Sequence, residues 1–416
     1  MSDKSRSFLI LALREGALSA LLALVLAGPI AGIVLEGFSF TTHFDRVLWL
    51  VAAAAIGRIA VVTFARFKPA SRQGEGKTVA KVAGSQPHLW AKLGVVAIVA
   101  GMIVLPFYVD KYLITILILA MIYVLLGLGL NVVVGLAGLL DLGFVGFYAV
   151  GAYTYALGAQ YLGIGFWTAL PLAALLAAGL GMTLGFPVLR MHGDYLAIVT
   201  LGFGEIIRLV LTNWLDFTGG PNGVKAPNPT FFGIEFTRSA QEGGRTFHEL
   251  MGREYSSNAK FIFIYLVLMA VVAFMIYTVT RLKAMPLGRA WEALREDEIA
   301  CRSLGINHVT IKLSAFAIGA MTAGLAGVFF AAYQGFVNPT SFTFFESALI
   351  LAIVVLGGMG STLGVVIAAF FLTLMPEFLR EFADYRILLF GILMVLIMIW
   401  RPRGLIRARR PTFARS

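Results

Sequence analysis

Three groups of residues in this chain have types and spacings that can do chemical work. The first lies between Met285 and Leu313, in the string MPLGRAWEALREDEIACRSLGINHVTIKL. Pro286 and Gly288 open it, Ala290–Leu304 is rich in helix formers, and Gly305 suits a C-terminal cap. The pattern predicts a short helix, a glycine turn and a second helix. Glu292, Ala293, Glu298, Ala300 and Gly305 are its candidate working residues. Small side chains let such a helix seat in a groove on a partner, and charges fix its register. The plain alternative is an ordinary loop between two apolar segments. The second group comprises Gly127, Gly129, Gly135 and Gly138 around Asn131, and the GGMGS string at 357–361. Glycines permit close helix packing and local unwinding, and unwound backbone can meet a polar solute at membrane depth. Asn131, Gly135, Gly138, Gly357 and Gly358 are therefore candidate pathway residues, with Gly357–Gly360 expected to break a helix near the midplane. Packing alone explains each glycine equally well. The third group is Glu205 and Arg208, three apart on one helical face. Ionisable groups in a span are costly and tend to pair. They are expected to pair near the outer surface, or to meet solute at the outer mouth. Thr200, one turn before them, fits helix packing and completes the pathway candidates.

Other chemistry is missing. The nearest string to a phosphate-binding loop, SRQGEGK at 71–77, has serine where the first glycine belongs. A metal-binding HExxH is absent, and His43, His88, His192, His248 and His308 are isolated. Asp194 has no second intramembrane aspartate to make a protease dyad. Cys301 is the single cysteine, which excludes an internal disulfide and a cysteine metal cluster. No metal and no cofactor are expected in this chain, and it is not expected to be an enzyme.

The elements that must position these residues follow from composition. The 416 residues are 59% hydrophobic and 13% charged, with mean hydropathy +0.87. Soluble domains carry roughly 25% charged residues, so this is a many-span membrane protein. A span needs about 20 apolar residues. Candidates are Ala17–Leu35, Val47–Ala65, Leu93–Val109, Leu113–Val134, Leu140–Leu162, Phe166–Leu189, Tyr195–Trp214, Phe261–Leu282, Leu313–Tyr333, Ser347–Gly358, Leu363–Met375 and Ile387–Trp400. The fold class is all-α, with about ten to twelve transmembrane helices, some discontinuous. Ala17–Leu35 is longer than a signal-peptide core and is read as a retained span. With the N-terminus inside, most of the 33 basic residues fall on the cytoplasmic side, and both termini are cytoplasmic. The net charge of +11 is then topological and needs no nucleic acid. Residues 1–67 form an N-terminal hairpin, 68–92 a cytoplasmic linker, 93–404 the core and 405–416 a basic tail. Within the core, 215–260 is extracytoplasmic and 283–312 cytoplasmic.

Glu298, Ala300 and Gly305 resemble the coupling loop of ABC importer permeases, although here the glycine follows the glutamate by seven residues rather than six. Longer strings narrow the resemblance: LGLGLNVVVGLAG at 126–138, GDYLAIVTLGFGEIIR at 193–208, TGGPNG at 218–223, REDEIA at 295–300 and VVLGGMGS at 354–361. From about Leu113 to Gly404 the chain is similar to LivM-type branched-chain amino-acid permeases. The resemblance implies a type II-like permease fold in a bacterial inner membrane and a second permease subunit of the LivH type. It also implies two cytoplasmic ATPases that carry ATP and Mg, and a periplasmic binding protein delivering leucine, isoleucine or valine. A sibling permease for urea, amides or other amino acids remains chemically possible. A self-sufficient secondary transporter is disfavoured by the sparse intramembrane acids, and an intramembrane enzyme by the missing dyads.

Overall fold

The computed structural model describes residues 33–36, 39–42, 100–188, 191, 193–231, 234–236, 245–246, 258–378, 391–392, 395 and 404–406. The expected span Val47–Ala65, most of Ala17–Leu35 and of Ile387–Trp400, the linker 68–92 and both chain ends lie outside these residues. The chain divides into two units, Met1–Ser85 with Met375–Gly391 and Ala414–Ser416, and Gln86–Leu374 with Ile392–Phe413. In the first unit, β1 (Ile33–Glu36) pairs antiparallel with β2 (Ser39–Thr42). The last residues of the expected first span are thus strand. Ile33, Val34, Thr41 and Thr42 are β-branched, which favours strand over helix.

The second unit is helical, as expected. Its helices are α1 (Lys111–Leu130), α2 (Val145–Leu162), α3 (Phe166–Val188), α4 (Asp194–Asn213), α5 (Asn258–Ala284), α6 (Pro286–Glu296), α7 (Glu298–Ser303), α8 (His308–Gln334), α9 (Phe344–Gly357) and α10 (Thr362–Phe378). Six stretches among the described residues are long and apolar enough to cross a membrane: 111–136, 166–186, 194–213, 258–284, 308–334 and 339–357. Helix α8 is central, packed on α1, α2 and α3. Lipid is as apolar as leucine, so small residues that admit close approach hold such helices together. Gly151 of α2 lies so near Gly324 of α8 that a Cβ there would overlap backbone, and a Cβ on Gly324 would stand 2.6 Å from the Ala173 carbonyl of α3.

The irregular backbone sits at two levels. Helix α1 widens at its end into a π turn, Asn131–Leu136, and the chain stays irregular until α2. The span expected from Leu140 therefore starts at Val145. Two hydrogen bonds hold this irregular backbone: the Asp141 carboxylate accepts from the Gly143 N–H at 2.9 Å, and Thr200 Oγ1 of α4 accepts from the Leu142 N–H at 3.1 Å. Helix α9 has 14 residues, about 21 Å of helix, which is too short to span alone. Before it come β4 (Phe336–Val337), paired with β3 (Val224–Lys225), and a 3-10 turn at Pro339–Ser341. The Tyr123 hydroxyl of α1 donates to Glu346 in the first turn of α9 at 2.8 Å. Tyr123 lies about 18 Å along α1 from Lys111, near the middle of the 111–136 stretch and so near half depth if that stretch spans the membrane. The Val145 N–H donates to Ser347 Oγ at 3.0 Å, so α2 also begins there.

The break expected near the midplane at Gly357–Gly360 lies elsewhere. It sits at the end of α9 beside the end of α5, where Lys283 donates to the Gly360 carbonyl. The half-depth discontinuity belongs to the starts of α2 and α9, because the turn and 3-10 segments before them consume part of each crossing.

Candidate functional site

The segment between α5 and α8 forms a two-helix elbow. Pro286 occupies the first turn of α6, where a missing N–H costs nothing. Gly288 packs so closely on the Leu282 carbonyl that no Cβ fits. The single helix expected over Ala290–Leu304 is two helices, broken at Asp297 (φ −158°, ψ 111°). The Asp297 carboxylate accepts from the N–H groups of Ile299 and Ala300 at 2.8 and 3.0 Å, an N-cap that starts α7 afresh. The break turns two faces in different directions. Trp291, Leu294 and Cys301 are buried, with the Trp291 indole N–H donating to the Ile311 carbonyl and Ser314 Oγ at 3.2 and 3.0 Å. Ile299 and Leu304 are 77% and 79% exposed, and Ala300 is exposed beside them. Gly305 has φ +76° with nothing near its missing Cβ. Glu292 and Ala293 are half-buried on α6. Glu298 is engaged within the chain: Lys312 of α8 donates to it at 2.8 Å and Arg302 at 2.9 Å.

This elbow is tied to the irregular ends of α1 and α9. Arg295 of α6 donates to the Gly135 carbonyl, and Lys283 at the end of α5 to the Gly360 carbonyl. The Gly360 N–H donates to Asn131 Oδ1 at 2.8 Å, while Asn131 Nδ2 is buried with no partner among the described residues. Gly135 and Gly138 make room for this junction. A Cβ on Gly135 would stand 2.6 Å from the Gly360 nitrogen, and one on Gly138 (φ +73°) 2.7 Å from Arg295 Cγ. Gly358 (φ +101°) turns the chain out of α9, and the carbonyl it exposes on Leu356 accepts from the Leu405 N–H at 2.8 Å. Asn131, Gly135, Gly138, Gly357 and Gly358, spread over the sequence, thus belong to one junction at the elbow's end of the bundle. A cavity of about 140 Å³ opens beside it, edged by Gly138, Met191, Leu294, Arg295, Glu298 and Lys312.

The remaining candidates stand apart. Arg208 Nε donates to Glu205 at 2.8 Å, and both side chains are about one third exposed. Thr200 donates to the Ala197 carbonyl at 3.0 Å and fastens the connector before α2. At the opposite end from the elbow, a cavity of about 680 Å³ is edged by Gln160, Tyr161, Asp216, Lys225 and Asn228. The described residues contain no group of three His, Cys, Asp or Glu able to hold a metal. Sequence reasoning missed Lys283, Arg295, Tyr123 and Glu346. For Glu346 a signal existed, since FFES at 344–347 puts an acid at the head of an apolar run. The arrangement can carry a displacement: a push on α6 reaches the π turn after α1 through Arg295, and a push on the end of α5 reaches the turn after α9 through Lys283.

Comparison with known proteins gives two family models. One, described as branched-chain amino acid transport system / permease component, matches residues 112–399. The other, described only as a domain of unknown function, matches residues 11–123. The chain is 51% identical over 405 residues to the Escherichia coli K12 high-affinity branched-chain amino acid transport system permease protein LivM, covering 95% of this chain and 94% of that one. It is 28% identical to a probable LivM of Methanocaldococcus jannaschii over 67% of this chain and 84% of that one. Identity to Escherichia coli K12 LivH is 23%, over 68% of this chain and 91% of that one. No solved structure matches the chain.

Proposed function

This chain belongs to the permease-component family of branched-chain amino acid transport systems, and from that premise we propose that it forms half of the membrane pathway of an ATP-driven importer of leucine, isoleucine and valine. The other half is a second permease subunit of the LivH type. Two cytoplasmic ATPases supply ATP and Mg, and a periplasmic binding protein delivers the amino acid. The chain sits in the bacterial inner membrane with both termini and the α6–α7 elbow in the cytoplasm.

The observation that carries this reading is the elbow itself. Its inner face is anchored by Trp291, Leu294 and Cys301, while Ile299, Ala300 and Leu304 are left exposed as a small apolar face for a groove on an ATPase. Arg295 and Lys283 then transmit ATPase closure to the backbone at Gly135 and Gly360. Alternating access is a two-state equilibrium, and ATP shifts it only by binding the two states differently. The elbow is where that difference enters this chain.

The test is radiolabelled leucine uptake into proteoliposomes holding this chain, the sister permease, the ATPases and the binding protein. Uptake should require ATP and every subunit, and be competed by valine and isoleucine but not by urea. Leucine uptake by this chain alone, driven by an ion gradient, would refute the importer reading.

A further inference from the structure

Glu346 is the group in this fold that the pathway described above does not explain. It stands in the first turn of α9, near half depth, with its carboxylate accepting a hydrogen bond from Tyr123 at 2.8 Å. Glu205 and Glu298 each meet a cation, whereas among the described residues no cation lies within ion-pair reach of Glu346. Its side chain is only partly covered, and the neighbouring Phe345 is 80% exposed. A carboxylate on an open face at this depth is costly against lipid, and such groups face a bundle interior or a water-filled path. A packing role for a lone acid would be served better by glutamine, which carries no charge to desolvate.

The surroundings are made for a solute with one charged end. The irregular chain before α2 and α9 interrupts both helices at this level, and non-helical backbone is tolerated at membrane depth where it is buried or lines a cavity. Phe342, Tyr148 and Phe330 pack together there, edge to face for Tyr148 and Phe342 (ring centroids 5.2 Å apart) and tilted for Tyr148 and Phe330 (5.3 Å). The Tyr153 hydroxyl, on a side chain 3% exposed, has no partner among the described residues. An acid, hydroxyls and aromatic rings offer a counter-charge and an apolar wall.

We propose that Glu346, oriented by Tyr123, binds the ammonium group of the transported amino acid as it passes half depth, with the aliphatic side chain against the aromatic residues ahead of α9. This rests on the importer reading above. The open face of α9 is then the wall of the pathway, completed by the sister permease.

The experiment uses the complete reconstituted importer carrying Glu346→Gln, Glu346→Asp or Tyr123→Phe. All three should co-purify with the sister permease and ATPases as the unaltered chain does. Glu346→Gln should lower leucine uptake at least tenfold. Glu346→Asp should retain a substantial part of the rate with a raised half-saturating concentration, and Tyr123→Phe should lose less than Glu346→Gln. Uptake by Glu346→Gln at the unaltered rate would overturn the proposal. So would loss of the sister permease from the Gln variant, because Glu346 would then be an assembly contact. Failure of the unaltered complex to take up leucine would instead refute the importer reading.

Discussion

Lys312 is 3% exposed in α8, and its charge is tolerable because Glu298 reaches it at 2.8 Å. Glu298 has a second cation, Arg302, in a more open setting. The pair is therefore asymmetric. Removing the acid strands a buried ammonium, which costs about 3 kcal/mol. Removing the lysine leaves Glu298 with Arg302 and costs about 1 kcal/mol or less. Glu298→Gln should lower the thermal unfolding midpoint of the detergent-solubilised chain clearly more than Lys312→Met, at one scan rate. Equal shifts, or the reverse order, would show that Lys312 is not held by this acid.

The elbow turns on Asp297. Helix propensity summed over Ala290–Leu304 favours one rod, but an aspartate whose side chain captures two following N–H groups competes with the helix that would run through it. The break explains why Trp291, Leu294, Glu298, Cys301 and Ser303 form no single apolar stripe: they lie on two helices. It also leaves Ile299 and Ala300 of α7 exposed among the described residues. Ile299→Glu and Ala300→Glu should leave membrane insertion and thermal stability within about 0.5 kcal/mol of the unaltered chain. Each should cut ATPase co-purification at least tenfold and leucine uptake with it. Full association by both variants would mean that the ATPases dock elsewhere.

At the scale of the molecule, the described helices place the elbow and the 215–230 region at opposite ends of the long spans. The proposed topology, which rests on the bias of basic residues, puts the elbow in the cytoplasm. Orientation is tested by labelling intact cells with an impermeant thiol reagent on a Cys301→Ser background. A cysteine at Asn228, exposed beside the outer cavity, should react, and one at Ser303, exposed on α7, should not until the cells are opened. The opposite pattern would invert the topology and remove the elbow from the ATPases.

The sequence by itself determined that this is a helical membrane protein, where six of the described apolar segments run to within three residues, and which family it resembles. Hydropathy is strong and local, and long glycine-bearing strings survive as recognisable text. It also marked Asn131, Gly135, Gly138, Gly357 and Gly358 as unusual. Only the tertiary structure decided what they do. Asn131 and Gly360 lie 229 positions apart, and Arg295 and Gly135 lie 160 apart, so no local pattern could join them. A span that is apolar on nearly every side has no amphipathic stripe from which to read its neighbours. The depth of Glu346 was hidden for a related reason: a hydropathy window measures how much of a segment is apolar, whereas depth depends on how much of the crossing is irregular backbone. That is set by hydrogen bonds and close glycine contacts made with other parts of the chain.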